Sequence, residues 1–397
     1  MKEFMSKLNS KEKYMIYNMF FSFVIIGFYV IMIGSILPMM SDEYGLSYEI
    51  SGSIVSVHNI GNMVAALFAG SLAVLFSVKK AYIIFTSIGI IGFIATLITQ
   101  NPVILLIAFL FTGLGRGICN NYSNLAVNVI GEGKSAPVNI LNSCFSIGAL
   151  IAPFVVMLCT KQSANNWKIV VVALIVVLLI SFILSFRMDM SRIEYKKGDQ
   201  VANQSFAFLK DKRYAYPAIC MFLYSCVEAT MMGWLVTYFV ESGYVSESFS
   251  QILNAILWAA ILAGRIGCVA IANKVHTPSL IKIMSIGLLA FIGVLLFTNS
   301  FAMALIATIG IGLMASGLPG NILACPGEVY AEYAHAISVF IAIAGIGASA
   351  WPYVIGIVAG AAGMKAGMTS VIIPAVLLII ASIINERYFK KEHEPKE

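Results

Sequence analysis

The stretch IGALIAPFVV, Ile147–Val156, has a counterpart in IGASAWPYVI, Ile346–Ile355. Both stretches begin with Ile-Gly-Ala and then carry Pro and Val at the same positions. The dipeptide Gly-Leu at 113–114 recurs at 312–313, and the offset is the same as between the two longer stretches. Two matches at one offset predict that the chain consists of two structural repeats in parallel orientation.

The composition around these stretches is that of a membrane protein. Of the 397 residues, 60% are hydrophobic and only 11% are charged, whereas a soluble domain is about 45–50% apolar and about 25% charged. The first apolar segment, residues 14–40, is too long for the core of a signal peptide, and no small-residue cleavage site follows it. We therefore expect this segment to be retained in an all-α, polytopic membrane protein.

A run of about 20 apolar residues is long enough to cross a bilayer as a helix. Breaks at charged residues, Pro, Gly and polar clusters divide the chain into twelve spans: 14–40, 47–74, 79–100, 102–131, 134–160, 166–187, 213–241, 247–273, 277–298, 300–328, 333–362 and 365–388. A long polar and basic connection separates spans 6 and 7. We predict an N-terminal six-helix bundle (1–187), a linker (188–212) and a C-terminal six-helix bundle with a short tail (213–397).

Lys and Arg residues are distributed unequally between the two sides of these spans. One side carries the basic residues of the N-terminal segment, the linker and the C-terminal tail, together with Lys79, Lys80, Lys134, Lys274 and Lys282. The other side carries only Lys161, Lys168 and Lys365. Because Lys and Arg favour cytoplasmic loops, we predict that both termini and the linker are cytoplasmic. The net charge of +6 then reflects orientation and attraction to anionic lipid headgroups, and does not indicate nucleic-acid binding. We expect a monomer in the lipid bilayer of a bacterial plasma membrane.

Spans 3, 6, 9 and 12 consist almost entirely of hydrocarbon side chains, and the polar side chains lie in the other eight spans. Polar groups within a membrane face a bundle interior or a water-filled cavity. We therefore predict twelve transmembrane helices in two pseudo-symmetric six-helix bundles around a central cavity. Spans 1, 2, 4, 5, 7, 8, 10 and 11 should line that cavity, which opens alternately to each side of the membrane.

Span 4 contains a conspicuously polar stretch, GLGRGICNNYSNLAVN, residues 113–128. A guanidinium at mid-membrane costs from about 3 to more than 10 kcal/mol, so Arg116 requires a partner, water or a ligand. Polar residues recur at four-residue spacing on one side of this helix: Arg116, Asn120, Asn124 and Asn128. A neighbouring stripe of small residues is suited to close helix packing: Gly113, Gly117 and Asn121.

The polar stripe has two interpretations. In the first, Arg116 binds a carboxylate or phosphate group of a substrate with its fork of donors, and Asn120 and Asn124 bind hydroxyl groups. In the second, Arg116 pairs internally, for example with Glu228, and the asparagines hydrogen-bond between helices. Asn128 lies nearer the cytoplasm, where a structural role fits better.

Glu228 in span 7 is the only acidic residue near the centre of a span. A carboxyl group that moves between wet and dry surroundings changes its affinity for protons, which is what a proton-coupled transporter requires. The alternative is a permanent salt bridge that holds two helices together. His58, one turn from Asn62 in span 2, is either a proton site or sugar-hydroxyl partner, or a packing histidine.

Span 8 presents Asn254, Trp258 and Arg265 on one face. Trp258 is suited to stack on a sugar ring with its indole N–H as a donor, whereas Arg265 lies near the cytoplasmic end and fits a gate. Trp234 and Trp351 have the same two interpretations, as packing residues or as ligand contacts. The predicted substrate-binding residues are Tyr29, His58, Asn62, Arg116, Asn120, Asn124, Asn142, Glu228, Asn254, Trp258, Asn321 and Trp351. Of these, Glu228 and His58 are also the candidates for proton coupling.

Twelve spans in two halves, a basic central linker and apolar third spans resemble the major facilitator superfamily over the whole chain. Four motifs are similar to those of the fucose permease-like sugar porters within it: GLGRGICNNYSN (113–124), LNSCFSIGALIAP (141–153), YSCVEATMMGWLVTYF (224–239) and AGRIGCVAIANKV (263–275). The resemblance implies two six-helix halves that together transport a small polar solute.

The chain departs from this family pattern in several places: the family's proton-linked carboxylates in spans 1 and 4 have no counterpart, and Arg116 in span 4 is unusual for a porter of neutral sugars. Asn142 stands where these porters frequently carry His, and in the loop between spans 2 and 3 Val74 and Ser77 replace the Asp and Gly of the superfamily. Lys79 and Lys80 of the same loop remain as candidates for a gate.

The resemblance implies a secondary active transporter for a sugar, a sugar acid or a small organic anion, working by alternating access and proton-coupled symport. The alternatives are a drug or metabolite efflux antiporter of the same superfamily, and a membrane sensor or receptor without transport. A small-molecule substrate and protons are therefore the expected partners. We expect no enzyme, no cofactor and no metal site, because the sequence lacks HExxH, CxxC, Gly-x-Ser-x-Gly and a nucleotide-binding loop.

Overall fold

The computed structural model of the chain describes residues 8–130, 135–194, 206–271, 276–326, 329, 333 and 336–393. The chain divides into two compact units, Met1–Gln200 and Val201–Glu397. Over the described residues, twelve helices are long and apolar enough to cross a membrane, and no strand occurs in those ranges. The prediction of an all-α protein with twelve spans is therefore confirmed.

The first unit contains six of these helices. They are α1 (Ser10–Tyr44), α2 (Tyr48–Phe76), α3 (Val78–Ile98), α4 (Pro102–Ile130), α5 (Ser135–Thr160) and α6 (Trp167–Ser185). Short 3₁₀ turns at Ala164–Asn166 and Ser191–Ile193 flank α6.

The second unit follows a 3₁₀ turn at Phe206–Lys210. Its helices are α7 (Lys212–Ser242), α8 (Glu247–Ile271), α9 (Thr277–Phe297), α10 (Phe301–Ser316 and Leu318–Ala324), α11 (Ala336–Ala362) and α12 (Met364–Thr369 and Ile372–His393).

Local sequence sets the ends of α1. At its start, the Asn9 side chain accepts a hydrogen bond from the Glu12 backbone N–H, while the Glu12 carboxylate accepts one from the Asn9 backbone N–H. This reciprocal pair satisfies two amides that have no partner within the helix. At its end, Gly45 adopts φ +62° and terminates the helix, a conformation that glycine takes without steric cost. The helix therefore runs past the predicted end at residue 40.

α10, which corresponds to the predicted span 300–328, is interrupted at Gly317. Pro319 has no N–H and cannot donate to the carbonyl of Ala315, four residues earlier. The Gly317 N–H points back to Ala315 instead. Beyond the break, Asn321 donates both its backbone N–H, at 3.1 Å, and its side-chain Nδ2, at 2.7 Å, to the Gly317 carbonyl.

α2 and α4 pack with their backbones in contact, as the stripe of small residues on α4 predicted. A Cβ atom on Gly113 would lie 2.0 Å from the His58 carbonyl oxygen, and one on Gly117 would lie 2.4 Å from the Asn62 carbonyl oxygen. Farther along, the Asn121 side chain donates to a backbone carbonyl of α2 at 3.5 Å. Side chains on these faces are therefore brought close together.

The second unit repeats this contact between α8 and α10. A Cβ atom on Gly312 would lie 2.7 Å from the Leu257 carbonyl oxygen. By the offset of the two repeats, Gly312 is the counterpart of Gly113 and Leu257 the counterpart of His58. The sequence repeat is thus matched by a repeated packing arrangement.

A second pair of close contacts joins the first and fifth helices of each unit. A Cβ atom on Gly148 of α5 would lie 1.9 Å from the Val24 carbonyl oxygen of α1. One on its repeat counterpart, Gly347 of α11, would lie 2.3 Å from the Phe222 carbonyl oxygen of α7. Both glycines belong to the duplicated Ile-Gly-Ala stretches.

The third and sixth helices of each unit expose large apolar side chains. Examples are Ile91 of α3, Ile183 of α6, Ile283 of α9 and Ile373 of α12, each more than half exposed. Surfaces of this composition are what helices in contact with lipid hydrocarbon present. The four helices predicted to face lipid are therefore apolar on their exposed surfaces.

Candidate functional site

Arg116 is half-buried and lies midway along α4. Its Nη1 atom is 3.4 Å from His58 Nε2 and donates to Asn59 Oδ1 at 3.3 Å. Both of these partners belong to α2, which the glycine contacts hold against α4. The guanidinium is therefore oriented by groups on the neighbouring helix.

The hydrogen-bond network fixes the tautomer of His58. The Thr112 hydroxyl donates to the Phe109 carbonyl at 2.7 Å, so its oxygen accepts from His58 Nδ1, which lies 2.9 Å away. In the neutral ring one nitrogen donates and the other accepts, and the network therefore leaves Nε2 as the acceptor. That lone pair faces the Arg116 guanidinium, and a proton on Nε2 would remove this acceptor.

A cavity of about 30 Å³ adjoins this network within the first unit. This volume holds one or two water molecules. Arg116, Tyr29 and Thr86 are among the residues that line it. Tyr29 is 4% exposed and meets the His58 ring edge-on, with centroids 6.1 Å apart. The structure thus brings three predicted site residues together: Tyr29, His58 and Arg116.

The amide side chains of the first unit have different surroundings. Asn124 Nδ2 donates to the backbone and side-chain oxygens of Asn120, both at 2.9 Å, so these two residues bond to each other along α4. Asn62 Oδ1 is buried and has no hydrogen-bond partner among the described residues. Asn142 of α5 is exposed, and the side chain of Asn128 lies outside the described residues. The binding roles assigned to these residues stay predictions.

Glu228 of the second unit is half-buried on α7. The Tyr224 hydroxyl, one turn earlier on the same helix, donates to Glu228 Oε1 at 2.8 Å. The same hydroxyl lies 3.2 Å from the carbonyl oxygen of Ala315, next to the break in α10. Both side chains line a cavity of about 20 Å³ within the second unit, which has room for about one water molecule.

One of the three predicted residues of α8 lies near this pair. Trp258 is 1% exposed and lines the same small cavity as Glu228. Arg265 of the same helix is half-buried. Asn254 is 1% exposed. The second unit therefore places an acid, a phenol and an indole around one small cavity.

Two tryptophans and one asparagine complete the predicted set. Trp234 of α7 is fully buried and donates its indole N–H to the Pro352 carbonyl of α11 at 3.1 Å. The indole N–H of Trp351 is also buried, and it has no hydrogen-bond partner among the described residues. Asn321 donates to the Gly317 carbonyl at the break in α10, which gives it a structural bond.

The predicted gate lysines lie at the end of the first unit where α1 begins. Lys79 Nζ donates to the Phe186 carbonyl at 2.8 Å, and Lys80 is exposed. The carboxylate of Glu194, just after α6, accepts from the backbone N–H of Val78 at 2.9 Å and of Lys79 at 3.4 Å. An anion at this position is favoured by the dipole of α3. The start of the linker thus supplies a carboxylate to the first residues of α3.

Further contacts tie the start of the linker to α1. Asp189 pairs with Lys11 at 3.2 Å, and Arg192 pairs with Glu12. Hydrogen bonds from the hydroxyl and backbone N–H of Ser191, together with Lys11, lower the pKa of Asp189 to about 2. This carboxylate is therefore ionised throughout the physiological pH range. Lys79, Lys80, Asp189 and Glu194 line a basin of about 530 Å³.

The sequence matches the family model described as Major Facilitator Superfamily over residues 19–352. The chain belongs to the Major Facilitator Superfamily. Its family and fold are those of transporters and not of enzymes. The resemblance stated from the sequence is thereby confirmed at the level of the superfamily, while the likeness to fucose permease-like porters stays a prediction.

Two curated relatives are similar to parts of this superfamily member. The Protein TsgA homolog of Buchnera aphidicola subsp. Schizaphis graminum (strain Sg) is 20% identical over 248 residues, which are 62% of each chain. The Gallate transporter of Pseudomonas putida is 28% identical over 149 residues, 37% of this chain and 33% of the relative. The matches therefore span less than two thirds of the length of either relative.

A solved structure is similar to this superfamily member over nearly its full length. The nucleoside transporter NupG superimposes with a TM-score of 0.74 at 16% identity, covering 96% of this chain and 100% of that one. At such low identity the likeness concerns the fold alone.

Sequence reasoning missed three contributors to these clusters. Thr112, which fixes the tautomer of His58, lies four residues before Arg116 and so continues the polar stripe, which was the signal for it. Glu194 lies in the polar linker of the sequence, and no spacing rule links it to α3. The hydrogen bond of Tyr224 to Ala315 of α10 joins residues far apart in the chain. Its signal in the sequence was Pro319, which has no N–H to donate to the Ala315 carbonyl.

Proposed function

We propose that this superfamily member is a secondary active transporter that moves a small polar substrate carrying an anionic group, by alternating access between the two sides of the membrane. The orientation of Arg116 carries the proposal. Arg116 is among the residues that line a cavity, and two acceptors on α2 orient its guanidinium: His58 Nε2 and Asn59 Oδ1. A positive charge is costly within a membrane and marks substrate pathways when it occurs there.

The charge and shape of Arg116 favour a carboxylate or phosphate group. The planar fork of a guanidinium matches the two oxygens of such a group. The partial similarity to a relative named for gallate, a carboxylate, supports the same substrate class. Nearby groups suit hydroxyls on the same substrate, since Asn62 Oδ1 has no partner among the described residues and lies one turn from His58 on α2.

Binding and uptake in proteoliposomes test the anionic substrate. Purified protein is first screened by thermal shift against sugar acids, aromatic carboxylates, neutral sugars and cationic drugs, since a bound ligand stabilises the folded state. For the ligand found, Arg116→Lys keeps the charge but loses the fork, and we expect affinity to fall about tenfold or more. Lys161→Gln removes one positive charge outside the described helices and should leave affinity unchanged.

A neutral or cationic ligand in this screen, or full affinity in Arg116→Gln, would contradict the anionic substrate. Cationic drugs as the only ligands would favour an efflux antiporter instead.

Glu228 is the residue that we assign to proton coupling. It is half-buried, it is held by a neutral donor, Tyr224, at 2.8 Å, and it lines a cavity sized for a water molecule. These surroundings suit an acid that is ionised in one conformation and protonated in another. Substrate and proton then favour the same conformation, and each tightens binding of the other by an equal factor.

The test of coupling compares accumulation with exchange in the same proteoliposomes. Glu228→Gln imitates the protonated acid, so an imposed pH gradient should no longer drive accumulation, while exchange of labelled for unlabelled substrate continues. Gradient-driven accumulation in Glu228→Gln would reject this assignment and direct attention to His58.

A further inference from the structure

The break in α10 leaves a backbone carbonyl next to the predicted coupling residue. In an unbroken helix the Ala315 carbonyl accepts from the N–H four residues later, but that residue is Pro319. Two donors approach the carbonyl instead: the Gly317 N–H, across the end of the helix segment, and the Tyr224 hydroxyl, at 3.2 Å.

The same hydroxyl also donates to Glu228. Tyr224 Oη lies 2.8 Å from Glu228 Oε1, and Tyr224 is 2% exposed. A phenol has one proton to donate, so the Glu228 carboxylate and the Ala315 carbonyl compete for it. The shorter contact indicates that Glu228 is the stronger acceptor in this arrangement.

We propose that Tyr224 transmits the protonation state of Glu228 to the break in α10. When Glu228 is ionised, its carboxylate accepts a hydrogen bond from the Tyr224 hydroxyl. When Glu228 is protonated, its own O–H donates to the Tyr224 oxygen, and the Tyr224 proton turns to the Ala315 carbonyl. Protonation of Glu228 thereby adds a hydrogen bond from the Tyr224 hydroxyl to the Ala315 carbonyl at the break in α10. This step rests on the proton coupling proposed for Glu228.

The helices around Tyr224 differ in the charged residues that they carry. α8 carries Glu247 and Arg265 within its bounds. α10 and α11 carry no Asp, Glu, Lys, Arg or His within their described bounds. From α12, Glu386 is engaged by Lys282 and Ser279. Glu228 is also the only charged residue that lines the small cavity among the described residues. The Cys268 thiol lies at the break, since a Cβ atom on Gly317 would be 2.3 Å from its Sγ atom. We assign the change of charge near the break in α10 to Glu228, the carboxyl group that bonds to Tyr224.

Hydrogen–deuterium exchange of the full-length protein tests the proposal. The protection of peptides across the break in α10 is compared at pH 5.5 and pH 8, after correction for the intrinsic pH dependence of exchange. In the wild type we expect protection to be about threefold or more greater at the lower pH. In Tyr224→Phe this difference should vanish, because the link between Glu228 and Ala315 is cut.

Tyr238→Phe is the matched control. Tyr238 lies on the same helix, is 3% exposed, and donates to a backbone carbonyl, that of Leu295, at 3.3 Å. Its replacement removes an equivalent bond without touching Glu228, and should preserve the pH difference. If Tyr224→Phe does not fold, Pro319→Ala gives the Ala315 carbonyl its helical donor and should abolish the difference with Tyr224 and Glu228 both present.

Glu228→Gln separates the two proposals. A pH difference that disappears in Glu228→Gln but persists in Tyr224→Phe and Pro319→Ala leaves proton coupling intact and overturns the role of Tyr224. A difference that persists in Glu228→Gln overturns the role of Tyr224, since another group then controls the break. An unchanged protection in the wild type overturns the role of Tyr224, and the accumulation assay decides on Glu228 independently.

Discussion

Two tryptophans of the second unit differ in the surroundings of one nitrogen atom. Trp234 donates its indole N–H to the Pro352 carbonyl, whereas the buried N–H of Trp351 has no partner among the described residues. Losing a made hydrogen bond costs about 1 kcal/mol, while a buried donor without a partner is itself unfavourable by about 1–3 kcal/mol. We therefore expect Trp234→Phe to lower the Tm of the substrate-free protein and Trp351→Phe to leave it equal or higher.

The substrate-induced rise in Tm completes this comparison. If Trp351 donates to a substrate hydroxyl, the rise should shrink in Trp351→Phe and persist in Trp234→Phe. Equal destabilisation of the substrate-free protein by both substitutions would show that Trp351 has a structural hydrogen bond after all.

At the same scale, the sequence predicted the identity of the polar residues better than their partners. Four-residue spacing placed Arg116 on one stripe with Asn120 and Asn124, and the latter two bond to each other. The contact of Arg116 with His58 depends on the crossing of α2 and α4, which spacing within one helix does not determine. A guanidinium and several amides also fit many ligands, so substrate identity is not contained in the residue types.

The glycine contacts between helices lead to a prediction about the packing of α2 against α4. In Gly113→Ala the new Cβ atom would meet the His58 carbonyl oxygen at 2.0 Å, so α2 and α4 must separate. We expect a loss of about 2–3 kcal/mol or more, seen as a lower Tm and poor recovery of monodisperse protein in detergent. The same separation would also move His58 and Asn59 away from Arg116.

Gly70→Ala, in α2, is the matched control. An added Cβ atom there has nothing within 4 Å, and Ala favours a helix over Gly by about 1 kcal/mol. This variant should be as stable as the wild type or more so. Equal stability of Gly113→Ala and Gly70→Ala would contradict the close packing of α2 against α4.

Hydropathy predicted the number of membrane-spanning helices but not the interruption within one of them. Length and apolar content identified all twelve helices, because the bilayer imposes both. The interruption of α10 at Gly317 was not predicted, since an apolar segment has the same hydropathy whether its helix is continuous or broken. Pro319 was the available signal, and its effect depends on whether another group can satisfy the Ala315 carbonyl.

For the whole molecule, the distribution of Lys and Arg predicts the orientation in the membrane. In a variant without native cysteines, we expect a membrane-impermeant maleimide to label Lys161→Cys and Lys365→Cys in intact cells. Lys80→Cys and Lys212→Cys should react only after the membrane is opened, because their loops carry the basic residues that favour the cytoplasm. The reverse pattern would invert the predicted topology, and labelling of all four sites in intact cells would invalidate the assay.

The hydrogen bonds of Arg116 have a consequence for how the chain enters the membrane during synthesis. α4 carries a guanidinium whose insertion alone costs about 2.5–3.5 kcal/mol on the translocon scale, yet its acceptors, His58 and Asn59, lie on α2 and leave the ribosome earlier. α4 is therefore expected to partition into lipid together with an already inserted helix. Glu228 differs, since Tyr224 precedes it by one turn on α7 and travels with it through the translocon. Membrane insertion of α4 in the first unit thus depends on the order in which the helices are made. Glu228 of the second unit has its hydrogen-bond donor, Tyr224, on its own helix.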